Sequence, residues 1–389
     1  LPDNNRVRRF FERKREILKK LMQSLILALL LLIGVSKPLS AAENIRIRAD
    51  AAILLEANSG QVLYAKNQHK LRSPASITKV VTAAVAANLA DLAEVAEISP
   101  QAARTKTGAD AGLRTGDQLL LADLLKAALV TSANDAAVAI AEQVGGNTEF
   151  FVELMRRQSG IMGAFNSDWV NPNGYSKTGH YSTAHDLALI VRQAMTCETI
   201  ASMVAIKTAN MQLLNRPAEI TMENTNQLLW DFEGADGVKT GTTKAAGQCL
   251  AASATRSGRR LIAVVLNSSA RYGEAAFLLN YGFRQTFFWQ LAAGERYTVL
   301  PIDGGIKPYL GVVAQSYLGL TVPKEKQSSL FYHVSFNSKL KAPIKKGQVL
   351  GELILYFENN EVGRTALIAE EEVPGRGFWS LLNYFPFRR

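Results

Sequence analysis

The chain is poor in the residues that build metal centres and disulfide frameworks. Among 389 residues there are two cysteines, Cys197 and Cys249, and four histidines, His69, His180, His185 and His333. Two cysteines cannot staple a chain of this size, and the scattered histidines lack metal-ligand spacing, so neither a disulfide scaffold nor a metal site is expected. Cys197 falls in a helical pattern and Cys249 in an apolar strand pattern, which reads as two buried free thiols packed as small hydrophobes. No apolar run reaches the roughly 20 residues that a membrane-spanning helix needs. Acidic residues are also in deficit, 34 against 44 basic ones, for a net charge of +10.

That excess is local. Residues 1–42 carry nine basic and three acidic side chains, which leaves +4 for the rest and weakens any reading as a nucleic-acid binder. Arg6, Arg8, Arg9, Arg13, Lys14, Arg15, Lys19 and Lys20 precede an apolar run from Leu25 to Val35, followed by Ser40-Ala41-Ala42. A basic region, a short apolar region and small residues form the pattern of a cleaved export signal, predicted over 1–42.

A chain of this length predicts two domains. Ala51–Tyr64 reads as a β-hairpin turning at Asn58-Ser59-Gly60. Helical patterns follow at Ile77–Ala87, Leu121–Leu129, Ala136–Val144 and Thr148–Arg157, and Thr183 and Asp186 occupy capping-box positions at the start of another helix. His185, inside that helix start, reads as structural. Gln248–Ala254 and Leu261–Leu266 are adjacent strands turning at Ser257-Gly258, and Glu274–Phe283 is a helix. The sum is an α/β domain over 43–288 with an all-helical insert. From about Gly294 the texture becomes short alternating strands, an all-β module predicted over 289–373. The last segment, 374–389, places Phe378, Leu381, Leu382 and Phe385 on one helical face with arginines around them, a pattern suited to the surface of a membrane.

Three short boxes carry the chemistry: Ser76-Ile77-Thr78-Lys79, Ser132-Ala133-Asn134 and Lys239-Thr240-Gly241. Each alone is weak, since one or two Ser-x-x-Lys matches are expected by chance in a chain this long. Rivals exist at Ser338 to Lys341, at Ser335-Phe336-Asn337, and in the Lys-Thr-Gly triplets beginning at Lys106 and Lys177. Context selects the first set. Ser76 opens an apolar helical run, so Ser76 and Lys79 lie one turn apart on one face, and a serine at a helix start sits beside unsatisfied backbone N–H groups. The rivals near Ser338 lie among alternating strands, where residues three apart point to opposite faces. Lys239 lies in a strand pattern that can line a groove, whereas Lys106 and Lys177 lie in loops. The Ser132 box falls between helices of the insert, so a groove is predicted where insert meets sheet. Gly234–Thr240 is not a phosphate loop, because Val238 replaces the glycine needed before Lys239 and no helix follows.

The selected boxes stand 56 and 107 residues apart. In order and scale they resemble the low-molecular-mass penicillin-binding proteins of the D-alanyl-D-alanine carboxypeptidase family, serine-type and peptidase S11-like. Ala52–Tyr64, Leu228-Leu229-Trp230-Asp231 and Ala245-Ala246-Gly247 extend the likeness over nearly the whole exported chain.

The resemblance implies a β-lactamase/transpeptidase-like domain followed by a small β domain that acts as a spacer or partner-binding module. It implies Ser76 as nucleophile, Lys79 as its base and Ser132 as proton shuttle, with Asn134 on the substrate backbone. Lys239, Thr240 and Thr242 would bind the terminal carboxylate beside Gly241, and the Ser76 and Thr242 N–H groups would form the oxyanion hole. Peptidoglycan stem peptides and β-lactams are the expected ligands, the membrane surface the expected partner of the tail, and no cofactor is called for. The expected location is extracytoplasmic, peripheral to the cytoplasmic membrane. Two positions depart from the family pattern: Thr242 where histidine is frequent, and Lys244 where an acidic residue is. The Glu-x-x-x-Asn pattern of a class A β-lactamase is missing between Ser132 and Lys239, which disfavours rapid β-lactam hydrolysis. A DD-endopeptidase on cross-links, and a β-lactam-binding scaffold with negligible turnover, are the alternative readings.

Overall fold

The computed structural model describes residues 46–337 and 340–376. The predicted export signal, Ser338 of the competing Ser-x-x-Lys, and nearly all of the predicted membrane tail lie outside the described residues.

Strand alternation explains how the first domain is layered. Five antiparallel strands stand in the order Val62–Lys66, Ala51–Glu56, Arg259–Leu266, Gly247–Arg256, Ala235–Thr243. Successive side chains on a strand point to opposite faces. Accordingly Ile53, Leu55, Ala251, Ile262 and Val264 join the larger core, while Ala52, Leu54, Leu250, Ala252, Ala263 and Val265 join the smaller one. A sheet apolar on both faces needs a cover on each. The helix Arg271–Gln285 covers the small-core face with Ala275, Leu278 and Leu279, and the helical insert covers the other. The turn predicted at Ser257-Gly258 is present, with φ of 49° and 75°, the pair of positive angles that a tight hairpin demands.

Within the insert, the helix Lys79–Leu89 is buried from Lys79 to Ala86 on all sides, packed among Leu121–Val130, Asn134–Gly145, Thr148–Ile161 and Ala184–Ala194. Its alanines let these neighbours approach closely, and each buried Val contributes about 1.5–3 kcal/mol. Thr183 caps Ala184–Ala194 by accepting the Asp186 N–H at 3.0 Å, as the sequence predicts.

One local expectation is corrected. Ser76 does not open the α-helix: it occupies a single 3-10 turn, Ala75–Thr78, and the α-helix begins at Lys79. The chain enters that turn through Ala75 at φ 49°, a left-handed conformation that an unbroken helix start would not contain.

The C-terminal module holds a five-stranded antiparallel sheet and a two-stranded one, Thr286–Leu291 with Leu318–Pro323, around a core that includes Leu310, Val312, Leu353, Leu355 and Leu367. It is joined to the first domain by polar contacts. Gln61 exchanges two hydrogen bonds with the Thr321 backbone, both 2.8 Å, and buried Arg259 donates to Thr286 Oγ1 at 2.9 Å. Among the described residues no single helix is long and apolar enough to cross a membrane.

Candidate active site

The three boxes come from separate elements and converge on one cavity of about 290 Å³. Ser76, Ser132, Asn134, Thr240, Gly241 and Thr242 line it. Ser132 sits at φ 66° in the turn between Leu121–Val130 and Asn134–Gly145, at the junction of insert and sheet. Lys79 and Lys239 lie behind the lining, at 0% and 1% exposure.

Glycine is what lets these elements meet. A Cβ on Gly241 would stand 3.0 Å from both Pro74 O and Ser76 N, so the edge strand runs directly against the serine turn only because position 241 has no side chain. Gly174, at φ 84°, closes the other side: a Cβ there would lie 2.0 Å from Ala75 O.

Lys79 Nζ lies 3.0 Å from Ser76 Oγ, 2.6 Å from Asn134 Oδ1 and 2.7 Å from Asn173 O. Burial pushes the Lys79 ammonium well below the ordinary lysine range, Lys239 pushes it the same way, and Asp135 opposes. A neutral amine has two N–H donors and one lone pair. The two acceptors, Asn134 Oδ1 and Asn173 O, use both donors, which turns the lone pair to the Ser76 hydroxyl.

Lys239 is depressed to about 7, first by burial and then by Arg271, and its Nζ has no hydrogen-bond partner among the described residues. A buried cation left unpartnered is costly unless an anion arrives. Arg271 also lines the cavity, held by Gly241 O at 3.1 Å and Thr242 Oγ1 at 2.9 Å. The wall beside Thr240 and Thr242 is therefore cationic.

Asn134 is more occupied than the sequence suggests. Its Oδ1 takes a Lys79 hydrogen and its Nδ2 donates to Thr107 O at 2.6 Å, so both polar atoms of the amide are bonded within the protein. Thr107 and Gly108 belong to the Lys-Thr-Gly triplet at Lys106, which the sequence places in a loop. It is a loop, and it forms one wall of the cavity. Lys177 stays exposed in a loop, and Lys244 is exposed in the turn that follows the edge strand Ala235–Thr243. Asn173, Tyr175, Thr225 and Arg271 also line the site and were not singled out from sequence. The repeated triplet at Lys106 was the only signal for any of these additions. The two cysteines are unpaired; Cys249 is buried, but Cys197 is only partly buried, at the start of the short helix Glu198–Val204.

A serine paired with a buried lysine, set between a helical insert and an antiparallel sheet with a small β module behind, defines the class of the serine peptidases that share the penicillin-binding fold. Residues 37–270 match the sequence profile of D-alanyl-D-alanine carboxypeptidase, peptidase S11, and residues 290–375 match penicillin-binding protein 5, C-terminal domain. The chain belongs to the D-alanyl-D-alanine carboxypeptidase family and is an enzyme of that family. It is 28% identical to the D-alanyl-D-alanine carboxypeptidase DacF of Bacillus subtilis over 94% of this chain and 97% of the relative. It is 32% identical to DacC of Escherichia coli over 86% of each. The crystal structure of penicillin binding protein 5 from Haemophilus influenzae is similar with a TM-score of 0.69 and 30% identity, over 86% of this chain and 100% of that one.

Proposed function

We propose that this enzyme removes the terminal D-alanine from peptidoglycan pentapeptides through an acyl-enzyme on Ser76, and that β-lactams acylate the same hydroxyl. The observation that carries the reading is the 3.0 Å approach of buried Lys79 Nζ to Ser76 Oγ.

In the acylation step the Ser76 hydroxyl gives its proton to neutral Lys79 as Oγ bonds to the carbonyl carbon of the penultimate D-alanine. The developing oxyanion lies between the Ser76 and Thr242 N–H groups, brought together by the side-chain-free passage of Gly241. The C–N bond then breaks while Lys79 returns the proton to the departing amine by way of Ser132, and D-alanine leaves. Water attacks the ester, its proton passes to Lys79, and Ser76 recovers its hydrogen. Lys239 and Arg271, with the hydroxyls of Thr240 and Thr242, bind the terminal carboxylate. This supports cleavage of a last residue over cleavage within a cross-link. Asn134 acts on the base rather than on substrate alone.

The basic leader and apolar run support export, with residues 1–42 removed. The peptidase domain of 43–288 and the β module of 289–373 meet within the strand Thr286–Leu291, which pairs inside the module and so supports a boundary at the end of the helix Arg271–Gln285. The aromatic and basic residues of 374–389 hold the enzyme against the outer surface of the cytoplasmic membrane.

Incubating purified wild type and Ser76→Ala with a diacetyl-Lys-D-Ala-D-Ala peptide and assaying free D-alanine tests the reading. Release by wild type alone is expected. No release from folded wild type sinks it; cleavage of dimeric muropeptides would then favour an endopeptidase, and a stable penicillin adduct without turnover a scaffold.

A further inference from the structure

His180 takes no part in the chemistry described above, yet it is bound to the turn that carries it. The ring is 4% exposed, packed edge-on to Trp169 with centroids 5.5 Å apart. Its Nε2 lies 2.9 Å from Thr78 Oγ1, and its Nδ1 accepts the Val170 N–H at 3.1 Å. Thr78 Oγ1 in turn donates to Ala75 O at 2.8 Å. These bonds define the tautomer twice over. Nδ1 accepts from a backbone N–H and so carries no hydrogen. Thr78 has one hydroxyl proton, already given to Ala75 O, so it can only accept from His180, which places the hydrogen on Nε2.

Ala75 is the residue before the nucleophile, at φ 49° and fully buried. An L-residue in that region costs about 1–2 kcal/mol, and it persists only where its surroundings hold it. The Thr78 bond to Ala75 O is one hold and the abutting Gly174 backbone another. The same stretch that presents His180 also supplies Asn173 O to Lys79 and Pro172 O to Thr82 Oγ1 at 2.6 Å. Thr78 and Thr82 thus face one loop, with the base anchored between them.

We infer that His180 is a positioning residue for acylation: its Nε2–H fixes the Thr78 hydroxyl on Ala75 O, and so holds the left-handed residue that aims Ser76 at Lys79. The inference rests on the acyl-enzyme reading, and it assigns His180 no contact with substrate. Burial depresses the imidazole to about 4, so the ring is neutral under ordinary assay conditions and the tautomer is constant.

Stopped-flow acylation of the full chain by a fluorescent penicillin tests it, resolving initial binding from the acylation rate, with Ser76→Ala as control. His180→Phe keeps an aromatic ring and removes both nitrogens; Thr78→Val keeps the shape and removes the hydroxyl. Each is expected to slow acylation about ten- to a hundredfold, with initial binding unchanged. Thr78→Ser restores the rate. The double variant His180→Phe with Thr78→Val is no slower than the worse single one, because the two residues act through one bond. Wild-type acylation in folded His180→Phe, losses that multiply in the double variant, or a loss confined to initial binding overturns the inference. If His180→Phe does not fold, Thr78→Val against Thr78→Ser decides by the same rate. Absence of a Ser76-dependent adduct in wild type would instead overturn the acyl-enzyme reading.

Discussion

Lys79 Nζ stands closer to Asn134 Oδ1, at 2.6 Å, than to the hydroxyl of Ser76, at 3.0 Å. The Lys79 amine is therefore held by the second box more closely than it approaches the first. Any change in the charge at position 134 acts directly on its proton.

Asn134→Asp places a carboxylate on the Lys79 amine. It favours the ammonium, raises the Lys79 pKa and shrinks the neutral fraction at any given pH. The acid limb of kcat/KM is expected to move to higher pH, with activity at pH 7 falling at least about tenfold. A pH–rate profile checks this; an unmoved acid limb would show that Lys79 is not the titrating base.

Asp135→Asn should move the same limb the opposite way, because the Asp135 charge raises the Lys79 pKa and its removal lowers it. The buried Asp135 carboxylate also accepts the Ala111 N–H at 2.9 Å and the Leu113 N–H at 3.1 Å, tying down the loop that carries Thr107. An amide there sets N–H against N–H, so stability drops by about 1–3 kcal/mol. Calorimetry and the pH profile give the two readouts separately.

On the proposed mechanism, Lys79 is neutral to take the Ser76 proton and Lys239 is charged to hold the carboxylate. Activity is then expected to rise with pH as Lys79 deprotonates and to fall as Lys239, at about 7, loses its proton. A bound carboxylate favours the Lys239 ammonium, so the basic limb of kcat lies at higher pH than that of kcat/KM. Coincident basic limbs would remove Lys239 from carboxylate binding.

Gly174→Ala forces a Cβ to 2.0 Å from Ala75 O, at a φ of 84° that alanine resists. The backbone of either the loop or the serine turn must yield, and both hold the base and nucleophile. Acylation is expected to fall about a hundredfold with a lowered melting temperature. Gly112→Ala is the control: it has the same sign of φ, 72°, but open space around it, so it loses a little stability and keeps its acylation rate.

Ser76 and Lys79 were legible because one helical turn relates them and the apolar run after them marks a buried helix. The central strands were legible as apolar runs joined by the Ser257-Gly258 turn, but which core each residue enters was not, because an unbroken apolar run shows no alternation. The other residues lining the site were not legible. Asn173 and Thr107 in loops, and Arg271 at the start of its helix, are separated from Lys79 or Ser76 by tens to hundreds of positions, and no periodicity places a loop carbonyl within hydrogen-bond reach of an amine. The 3-10 turn at Ser76 was also invisible, because it depends on a buried Ala75 held left-handed by its neighbours rather than on any local propensity.

By itself the sequence pointed to the candidate reacting groups and to an α/β domain with its β module, since residue type and short-range spacing carry both. The tertiary structure decided which state those groups are in. Desolvation and the proximity of Lys239 depend on the whole fold closing around Lys79, and they push its ammonium well below the ordinary lysine range, as the proposed base requires. The same closure gave Asn134 to that base and left Lys239 waiting, buried and unpartnered among the described residues, for an anion.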